Sequence, residues 1–85
     1  MAPTDPAIYD ARALAYLKFA EFGKSIADYD AALKLDQKLA SALYGRGLAK
    51  LRSGGSADGN VDISAARVLQ ADIAEQFVRY GVSAI

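Results

Sequence analysis

Three short groups of residues have types and spacings that could support chemistry. The first, Gly23-Lys24-Ser25, is similar to the end of a phosphate-binding loop, in which backbone amides and a lysine hold phosphate groups. That motif also requires a glycine five positions before Gly23, where this sequence has Lys18. A strand should precede the loop, whereas this stretch has a helical pattern. A nucleotide site is therefore not expected here.

The second group, Asp58, Asn60 and Asp62, has the alternate spacing of the first ligands in a calcium loop. Ile63 occupies the position of the glycine that such a loop requires, and Leu69 occupies the position of its bidentate glutamate. Turn and capping chemistry explains these polar residues better than calcium binding does.

The third group is Asp28 and Asp30. Residues two apart on a helix point in different directions, so these carboxylates are poorly placed to act as the acid–base pair of a glycosidase. The chain also has no histidine and no cysteine, which removes the usual general base, the thiolate nucleophile and thiolate metal ligands. We therefore predict a protein that is not an enzyme and that has no cofactor and no metal ion.

The composition predicts which elements carry these residues. Ten basic residues balance ten acidic residues, so the chain lacks the positive charge on which nucleic-acid binding depends. Hydrophobic residues make up 53% of the chain, and many of them are alanine, the best helix former. Both prolines lie within the first six residues, so none interrupts a later helix. An all-α fold is predicted.

The sequence has no segment suited to a membrane or to export. The longest uncharged stretch, residues 39–45, is far shorter than the roughly 20 apolar residues that span a bilayer. The first six residues have neither the basic region nor the apolar region of a signal peptide. The compartment is not specified, and a soluble cytoplasmic protein without a membrane partner is the default expectation.

The sequence repeats itself with a 34-residue period. Residues 12–15 (Arg-Ala-Leu-Ala) align with residues 46–49 (Arg-Gly-Leu-Ala), and Asp28 aligns with Asp62, without any insertion. Chance matches would not keep one register over most of the chain. Each unit contains two segments with helical spacing of apolar residues, so each unit is predicted to be a pair of helices.

Five helices are predicted. Their expected ranges are about 5–20, 23–35, 38–53, a shorter fourth helix, and 72–80. The fourth helix is expected to start late, with Asp58 or Asn60 as its N-cap, and to end near Leu69, because residues 53–60 are rich in types that end helices and begin turns. Asp72 is the predicted N-cap of the last helix, and Gly81 is predicted to end it.

A 34-residue helix–turn–helix unit of this kind resembles the tetratricopeptide repeat. Residues 12–16 and 27–33 are similar to two stretches of the family pattern, R-G-x-A-Y and A-x-D-Y-x-x-A-L. The resemblance implies a right-handed, all-α helix–turn–helix solenoid of five helices. Residues 1–85 would form a single domain with repeats at about 6–37 and 40–71 and a capping helix at about 72–81. In the second unit, Lys50 replaces an aromatic residue of the pattern.

Two oppositely charged pairs recur at the same separation in both units. Arg12 and Asp28 lie in the first unit, and Arg46 and Asp62 lie at the equivalent positions of the second. We predict that each pair forms an ion pair that fixes one helix of its unit against the other.

The resemblance also implies a function, that of a non-catalytic scaffold for protein–protein interaction. In this family the first helices of the units line a concave groove that takes a peptide or a partner helix. A subset of the family binds a carboxylate tail with a lysine and an asparagine, but the matching positions here hold Asp10 and Leu14. The residues predicted to line the groove are Asp10, Leu14, Leu17, Lys18, Tyr44, Leu48, Leu51 and Arg52.

The centre of the predicted groove is apolar, with Leu14, Tyr44 and Leu48, while Lys18 and Arg52 lie at one edge. Such a surface favours an apolar or amphipathic segment over an acidic tail. Tyr44→Ala is expected to weaken partner binding and to leave the fold intact. For two of the groove residues, Leu17 and Leu51, a place in the intramolecular core is an equally open alternative.

A structural role is the alternative function. Two and a half units are few for a stacked-repeat architecture, so an uncovered face is expected. Pro3 falls where an earlier unit would end, which suggests a cap of a longer array, and residues 54–60 could act as a hinge for exchanging helices between two copies. A peptide-binding protein would stay monomeric, whereas a self-associating one would bury Leu14, Tyr44 and Leu48 in a homodimer.

Overall fold

The computed structural model describes residues 4–82, and within that range it contains five α-helices and no strand. The helices are α1 (Pro6–Lys18), α2 (Phe22–Leu35), α3 (Ala40–Arg52), α4 (Ser56–Leu69) and α5 (Ile73–Arg79). The all-α prediction is confirmed. Pro3, which the sequence analysis placed at the end of an earlier unit, lies outside the described residues. None of the helices within residues 4–82 is long and apolar enough to cross a membrane.

The sequence period is also the period of the helices. Helix α3 begins and ends one full period after α1, and α4 begins and ends one full period after α2. The short links between the helices follow the same period. Ala20, after α1, and Gly54, after α3, both have positive φ angles, of 60° and 102°. Glycine adopts this conformation without the steric cost that a side chain adds.

Helix α1 has the clearest local start signal. Asp5 is its N-cap, and the side chain of Asp5 accepts a hydrogen bond of 2.9 Å from the amide of Ala7. Pro6 occupies the first turn, where its missing amide hydrogen has no cost. The other four helices have no side-chain hydrogen bond at the N-cap. Their positions therefore depend more on packing than on capping.

The prediction that α4 starts late is wrong. The helix begins at Ser56, after Gly55 as N-cap, so Asp58, Gly59 and Asn60 lie inside its first turns. Tertiary packing explains the difference. Gly59 is buried against α3, where a Cβ atom at its position would lie 2.6 Å from the carbonyl oxygen of Gly47. The glycine that lowers helix propensity is the residue that lets α3 and α4 approach each other.

The core consists of two apolar clusters. The smaller one joins α1, α2 and α3 around the fully buried ring of Tyr29, and it contains Ala13, Ala32, Leu33 and Ala42. The larger one is centred on α3 and contains Leu17, Ala40, Tyr44, Leu48, Ala49, Ile63, Ala66, Ile73, Phe77 and Val82. Burial of these side chains supplies most of the stabilisation of such a small domain.

Helix α5 is short and closes the larger cluster. Asp72 is its N-cap residue, as predicted, and Gly81 ends it with a φ angle of 84°. Ile73 and Phe77 are buried on one side of α5, and beyond Gly81 the chain turns so that Val82 is buried too. The ring of Phe77 packs on the ring of Tyr44 in α3 with centroids 4.8 Å apart.

Candidate interaction surface

Both predicted ion pairs are confirmed, and each is bidentate. In the first unit the Arg12 guanidinium donates to both carboxylate oxygens of Asp28, over 2.6 and 2.8 Å. In the second unit Arg46 donates in the same way to Asp62, over 2.8 and 2.9 Å. Two parallel hydrogen bonds fix the relative orientation of the two helices in each unit.

Arg46 also links the two units, which the sequence analysis did not predict. Its third nitrogen, Nη1, donates to Asp30 Oδ1 of α2 over 2.8 Å, and Lys50 Nζ lies 3.0 Å from Asp62 Oδ2. A signal was present in the sequence, since Asp30 and Arg46 have the same separation along the chain as the pairs within each unit.

These contacts change the pKa values of the groups concerned. Hydrogen bonding to Asp62 raises the pKa of Arg46 above its ordinary value. Burial alone would raise the pKa of Asp62, but hydrogen bonds and charge from Arg46 and Lys50 outweigh it, so that this pKa is lowered. Asp62 therefore stabilises the fold at neutral pH, and this contribution is lost as the pH falls through its lowered pKa.

Asp10, a predicted groove residue, is turned toward the joint between α1 and α3. One of its carboxylate oxygens accepts a hydrogen bond of 2.9 Å from Ser41 Oγ, while the other is buried without a hydrogen-bond partner. Burial raises the pKa of Asp10, opposed in part by the bond from Ser41. The hydroxyl of Tyr29, whose pKa is raised by burial and then by the charge of Asp10, also lacks a partner.

Asp10→Asn is expected to raise the free energy of unfolding at pH 7 by about 0.5–1 kcal/mol, because the neutral amide avoids the cost of burying a charge. The pKa of Asp10 is higher in the folded chain than in the unfolded chain, so the charged form disfavours folding. The gain should shrink as the pH falls below the raised pKa and vanish near pH 3. Urea unfolding at several pH values measures this, with Asp36→Asn as an exposed control that keeps the acceptor for the Lys38 amide. A gain that does not depend on pH would contradict the explanation.

The expected apolar centre of an open groove is not exposed. Tyr44 and Leu48 are 1% and 0% exposed, and Leu17 is 1% exposed. The prediction that Tyr44 and Leu48 present a free surface is therefore wrong, and Leu17 is a core residue. The physical reason is α5, since Ile73, Phe77 and Val82 join the same buried cluster and cover these side chains. The sequence showed a helix after the second unit but not the surface against which it packs.

The remaining predicted groove residues have different environments. Leu14 and Leu51 are half-buried against the larger cluster, whereas Lys18 and Arg52 are exposed at the carboxyl ends of α1 and α3. A Cβ atom at Gly81 would lie 3.9 Å from Lys18 Nζ, so Lys18 is beside the end of α5.

The comparisons with known proteins give one match. A family model described as a TPR repeat matches residues 21–54. These residues contain α2 and α3, and their number equals the 34-residue period of the helices. These residues of the chain form a tetratricopeptide repeat. No curated protein and no solved structure matches it. The match confirms the resemblance found in the sequence and the repeat architecture, and it supports a general role as a protein–protein interaction module.

The part of this TPR protein that matches is the joint between its two units. It contains the Arg46–Asp30 ion pair and the contact of the Tyr29 ring with Gly45, where a Cβ atom would overlap the ring. The Tyr29 ring thus fills the space that a side chain at position 45 would need, and only glycine fits there.

The three residue groups considered above as possible nucleotide, calcium or acid–base sites include residues with structural contacts. Ser25 is buried and donates a hydrogen bond of 2.8 Å from its hydroxyl to the carbonyl of Ala13, which ties α2 to α1. Asp28 and Asp30 bind two different arginines. Asp58, Asn60 and Asp62 lie on α4, where Asp62 is paired with Arg46.

Helix α5 covers an apolar surface of α3 and α4 in this TPR protein. We call that surface the α5 socket, and its residues are Tyr44, Leu48, Ile63 and Ala66. The helix in it has 7 residues, whereas α1 and α3 have 13. The socket is a groove between two helices that is already occupied by a third.

Proposed function

We propose that this TPR protein is a non-catalytic interaction module that binds an apolar-faced helix of a partner protein in the α5 socket. The observation that carries the proposal is that the socket already holds a helix of this kind. Phe77 packs its ring on Tyr44, and Ile73 is buried one turn before it. Aromatic and aliphatic anchors one turn apart are a common pattern of helix-in-groove recognition.

Lys18 and Arg52 give the site a direction. Both are exposed at the carboxyl ends of their helices, and Lys18 lies next to the end of α5. A partner helix with an acidic residue beyond its apolar anchors would lie with that residue near Lys18. We propose that the two cations orient the partner and increase its association rate more than they add to affinity.

The built-in helix sets the strength of binding. Residues 70–72 are the only link between α4 and α5, so α5 has an effective concentration in the millimolar range or above. A partner helix must compete with it, which lowers the apparent affinity. We therefore expect a weak, reversible interaction, or one that strengthens when α5 is released.

A synthetic peptide of residues 72–82 tests the proposal, because it offers the natural occupant as a separate partner. The chain to which it is added carries Phe77→Ala, so that its own α5 competes weakly. We expect saturable binding, with NMR chemical shifts of Tyr44 and Leu48 changing most. The peptide should bind at least about tenfold more weakly to the unmodified chain, where the linked α5 competes.

The matched control is the same peptide with Phe77→Asp, which should not bind. Circular dichroism verifies that the Phe77→Ala chain keeps its helices, and Phe77→Leu serves as a milder variant if it does not. If neither chain shows saturable changes at Tyr44, the socket does not accept a helix from another molecule, and the proposal fails.

Self-association is a second candidate function, and one observation favours it. The first helix of the chain has an exposed apolar face, with Ile8 52% exposed and Phe19 81% exposed. Exposed apolar residues that share one helix face often mark a contact surface.

A further inference from the structure

The exposed face of α1 is made of four residues at helical spacing. They are Ile8, Ala11 and Ala15 of α1 and its C-cap Phe19, all exposed, and we call them the α1 face. Their spacing of three and four positions places them on one side of the helix. Two small residues at the centre would let another helix approach closely.

The internal repeat shows what this kind of face contacts. One period later, three of the four counterparts are Ala42, Gly45 and Ala49 of α3, which are all buried, and the fourth is Ser53, the exposed C-cap of α3. Ala42 lies in the cluster around Tyr29, and Gly45 contacts the Tyr29 ring. In the second unit, the equivalent of the α1 face is thus the surface that packs on the preceding pair of helices. The α1 face has the same position in its own unit but no preceding pair to cover it within the described residues.

The α5 socket is the equivalent of that preceding surface. It lies on α3 and α4, which repeat α1 and α2 with the same lengths and the same ion pair. If α1 of another copy entered the socket as α3 enters the first pair, three contacts of the internal joint would have counterparts. Each can be compared residue by residue.

The first contact is that of Tyr29 with Gly45. Its counterparts are Ile63 in the socket and Ala11 on the α1 face. Isoleucine is smaller than tyrosine and alanine is larger than glycine, so the summed volume of the two residues changes little. Volume-conserving exchanges of this kind are the ones that packed interfaces tolerate best.

The second contact is the hydrogen bond between Ser41 and Asp10. Its counterparts are Ala7 and Tyr44, so the serine hydroxyl is replaced by a methyl group and the carboxylate by a tyrosine ring. The one polar atom left in this pair is the uncharged Tyr44 hydroxyl, and no buried carboxylate would lack a partner, which would be costly.

The third contact is the ion pair of Arg46 with Asp30. Its counterparts are Arg12 and Ser64. Arg12 is already bound to both oxygens of Asp28, so it needs no second carboxylate. Ser64 is exposed and uncharged, and it leaves no charge without a partner at this position.

The residues of α5 are less suited to these positions than the residues of the α1 face are. At the positions of the buried Ala42 and Gly45, α5 has Gln76 and Arg79. Arg79 is exposed, and Gln76 is hydrogen-bonded to Gln70 in the link before the helix. Accordingly, α5 has less contact with α4 than α3 has with α2. The socket is filled by a short helix whose side chains differ from those that the repeat places there.

We infer that the partner of the α5 socket is a second copy of this chain, which inserts its α1 face in place of α5. The inference rests on the proposed function, since it names the partner of the same site. The contact is head-to-tail, because one copy supplies α1 and the other supplies the socket. The pair keeps one free α1 face and one free socket, on different copies, so the assembly grows by addition of further copies.

Two chains that can each make only half of the contact test the inference. Chain X carries Ala11→Arg and Phe77→Ala, so that its α1 face is blocked and its socket is open. Chain Y is the unmodified protein, with an intact α1 face and a covered socket. We expect X alone and Y alone to sediment as monomers at about 50 µM and their mixture to form a 1:1 complex, at least about tenfold tighter than any association of Y with itself.

Ala27→Arg is the matched control for the charge added to X. Ala27 is exposed on α2 and is not one of the residues of the α1 face. A chain with Ala27→Arg and Phe77→Ala should form open-ended assemblies by itself, because both of its surfaces remain usable. A Y chain with Ala11→Arg should not bind X. Circular dichroism verifies the helices of every variant.

If X does not fold, unmodified protein at about 1 mM replaces it. Its mass should then exceed that of a monomer, and Ala11→Arg should abolish the increase while Ala27→Arg should not. Absence of a 1:1 complex between folded X and Y, or association that Ala11→Arg leaves unchanged, overturns the inference. If the 72–82 peptide binds X but Y does not, the socket still accepts helices and only the second copy is excluded as its partner. If X binds neither Y nor the peptide, the proposed function fails as well.

Discussion

Tyr44→Ala is expected to lower the free energy of unfolding by about 3–5 kcal/mol, the usual cost of removing a large buried aromatic side chain. Tyr44 is 1% exposed, and its ring lies 4.8 Å from the ring of Phe77. Its loss leaves a cavity between α3 and α5 and removes the aromatic pair that holds α5 in place. Urea unfolding followed by circular dichroism at 222 nm measures the change.

Phe19→Ala is the matched control, because Phe19 is 81% exposed and belongs to no buried cluster. We expect it to change the free energy of unfolding by less than about 0.5 kcal/mol. A loss for Tyr44→Ala as small as that of the control would mean that Tyr44 is not part of the core. It would also revive the expectation, drawn from the sequence alone, that Tyr44 can be removed without harm to the fold.

Gly47→Ala is expected to lower the free energy of unfolding by about 2–3 kcal/mol, although alanine is the better helix former. A Cβ atom at Gly47 would lie 2.7 Å from the carbonyl oxygen of Gly59 and 2.7 Å from Ile63 Cγ1. The backbone oxygen cannot rotate away as a side chain can, so α3 and α4 must move apart. That movement would also strain the bidentate bond of Arg46 to Asp62.

Gly23→Ala provides the comparison for this effect. Gly23 lies in the first turn of α2, and a Cβ atom there would meet nothing within 4 Å. The substitution should be neutral or stabilise the chain by up to about 1 kcal/mol, through helix propensity and a less flexible unfolded state. Thermal and urea unfolding of both variants separate the cost of the steric overlap from the gain in helix propensity. Equal effects at the two positions would show that close helix packing at Gly47 has no energetic weight.

Most of the fold could be predicted from the sequence because the sequence is periodic. The pairing of Arg12 with Asp28, and of Arg46 with Asp62, followed from their recurrence at equal separation. Helix ends were predicted within a few residues where local signals exist, as at Asp5, where a side chain caps the helix, and at Gly81, which takes a positive φ angle. These signals act over one or two turns, so they can be read without knowledge of the tertiary contacts.

The start of α4 could not be predicted in this way. Residues 53–60 have the composition of a turn, yet the helix begins at Ser56. Local preference favours a later start, by a fraction of a kcal/mol per residue. The close packing of Gly59 on Gly47, together with the ion pair of Asp62, is available only when α3 is present. Tertiary interactions of several residues outweigh the local preference.

The candidate site, like the fold, could be predicted from the sequence only in part. The sequence named residues of the first helices as the lining of a groove, and of these residues Lys18 and Arg52 are exposed. It did not show that Tyr44 and Leu48 would be covered. Burial depends on where a distant segment docks, and Phe77 follows Tyr44 by nearly a whole repeat along the chain. No local pattern around Tyr44 encodes a contact over that separation.

The sequence by itself determined that this protein is a series of helix pairs with a 34-residue period, and that one arginine–aspartate pair joins the helices of each unit. Those properties depend on spacing, which a periodic chain displays directly. Only the tertiary structure decided which apolar residues remain exposed, those of the α1 face among them, and which are covered, as in the α5 socket. The reason is that apolar attraction is not directional. A sequence shows that a face is apolar, but the packing of the whole chain decides what covers it.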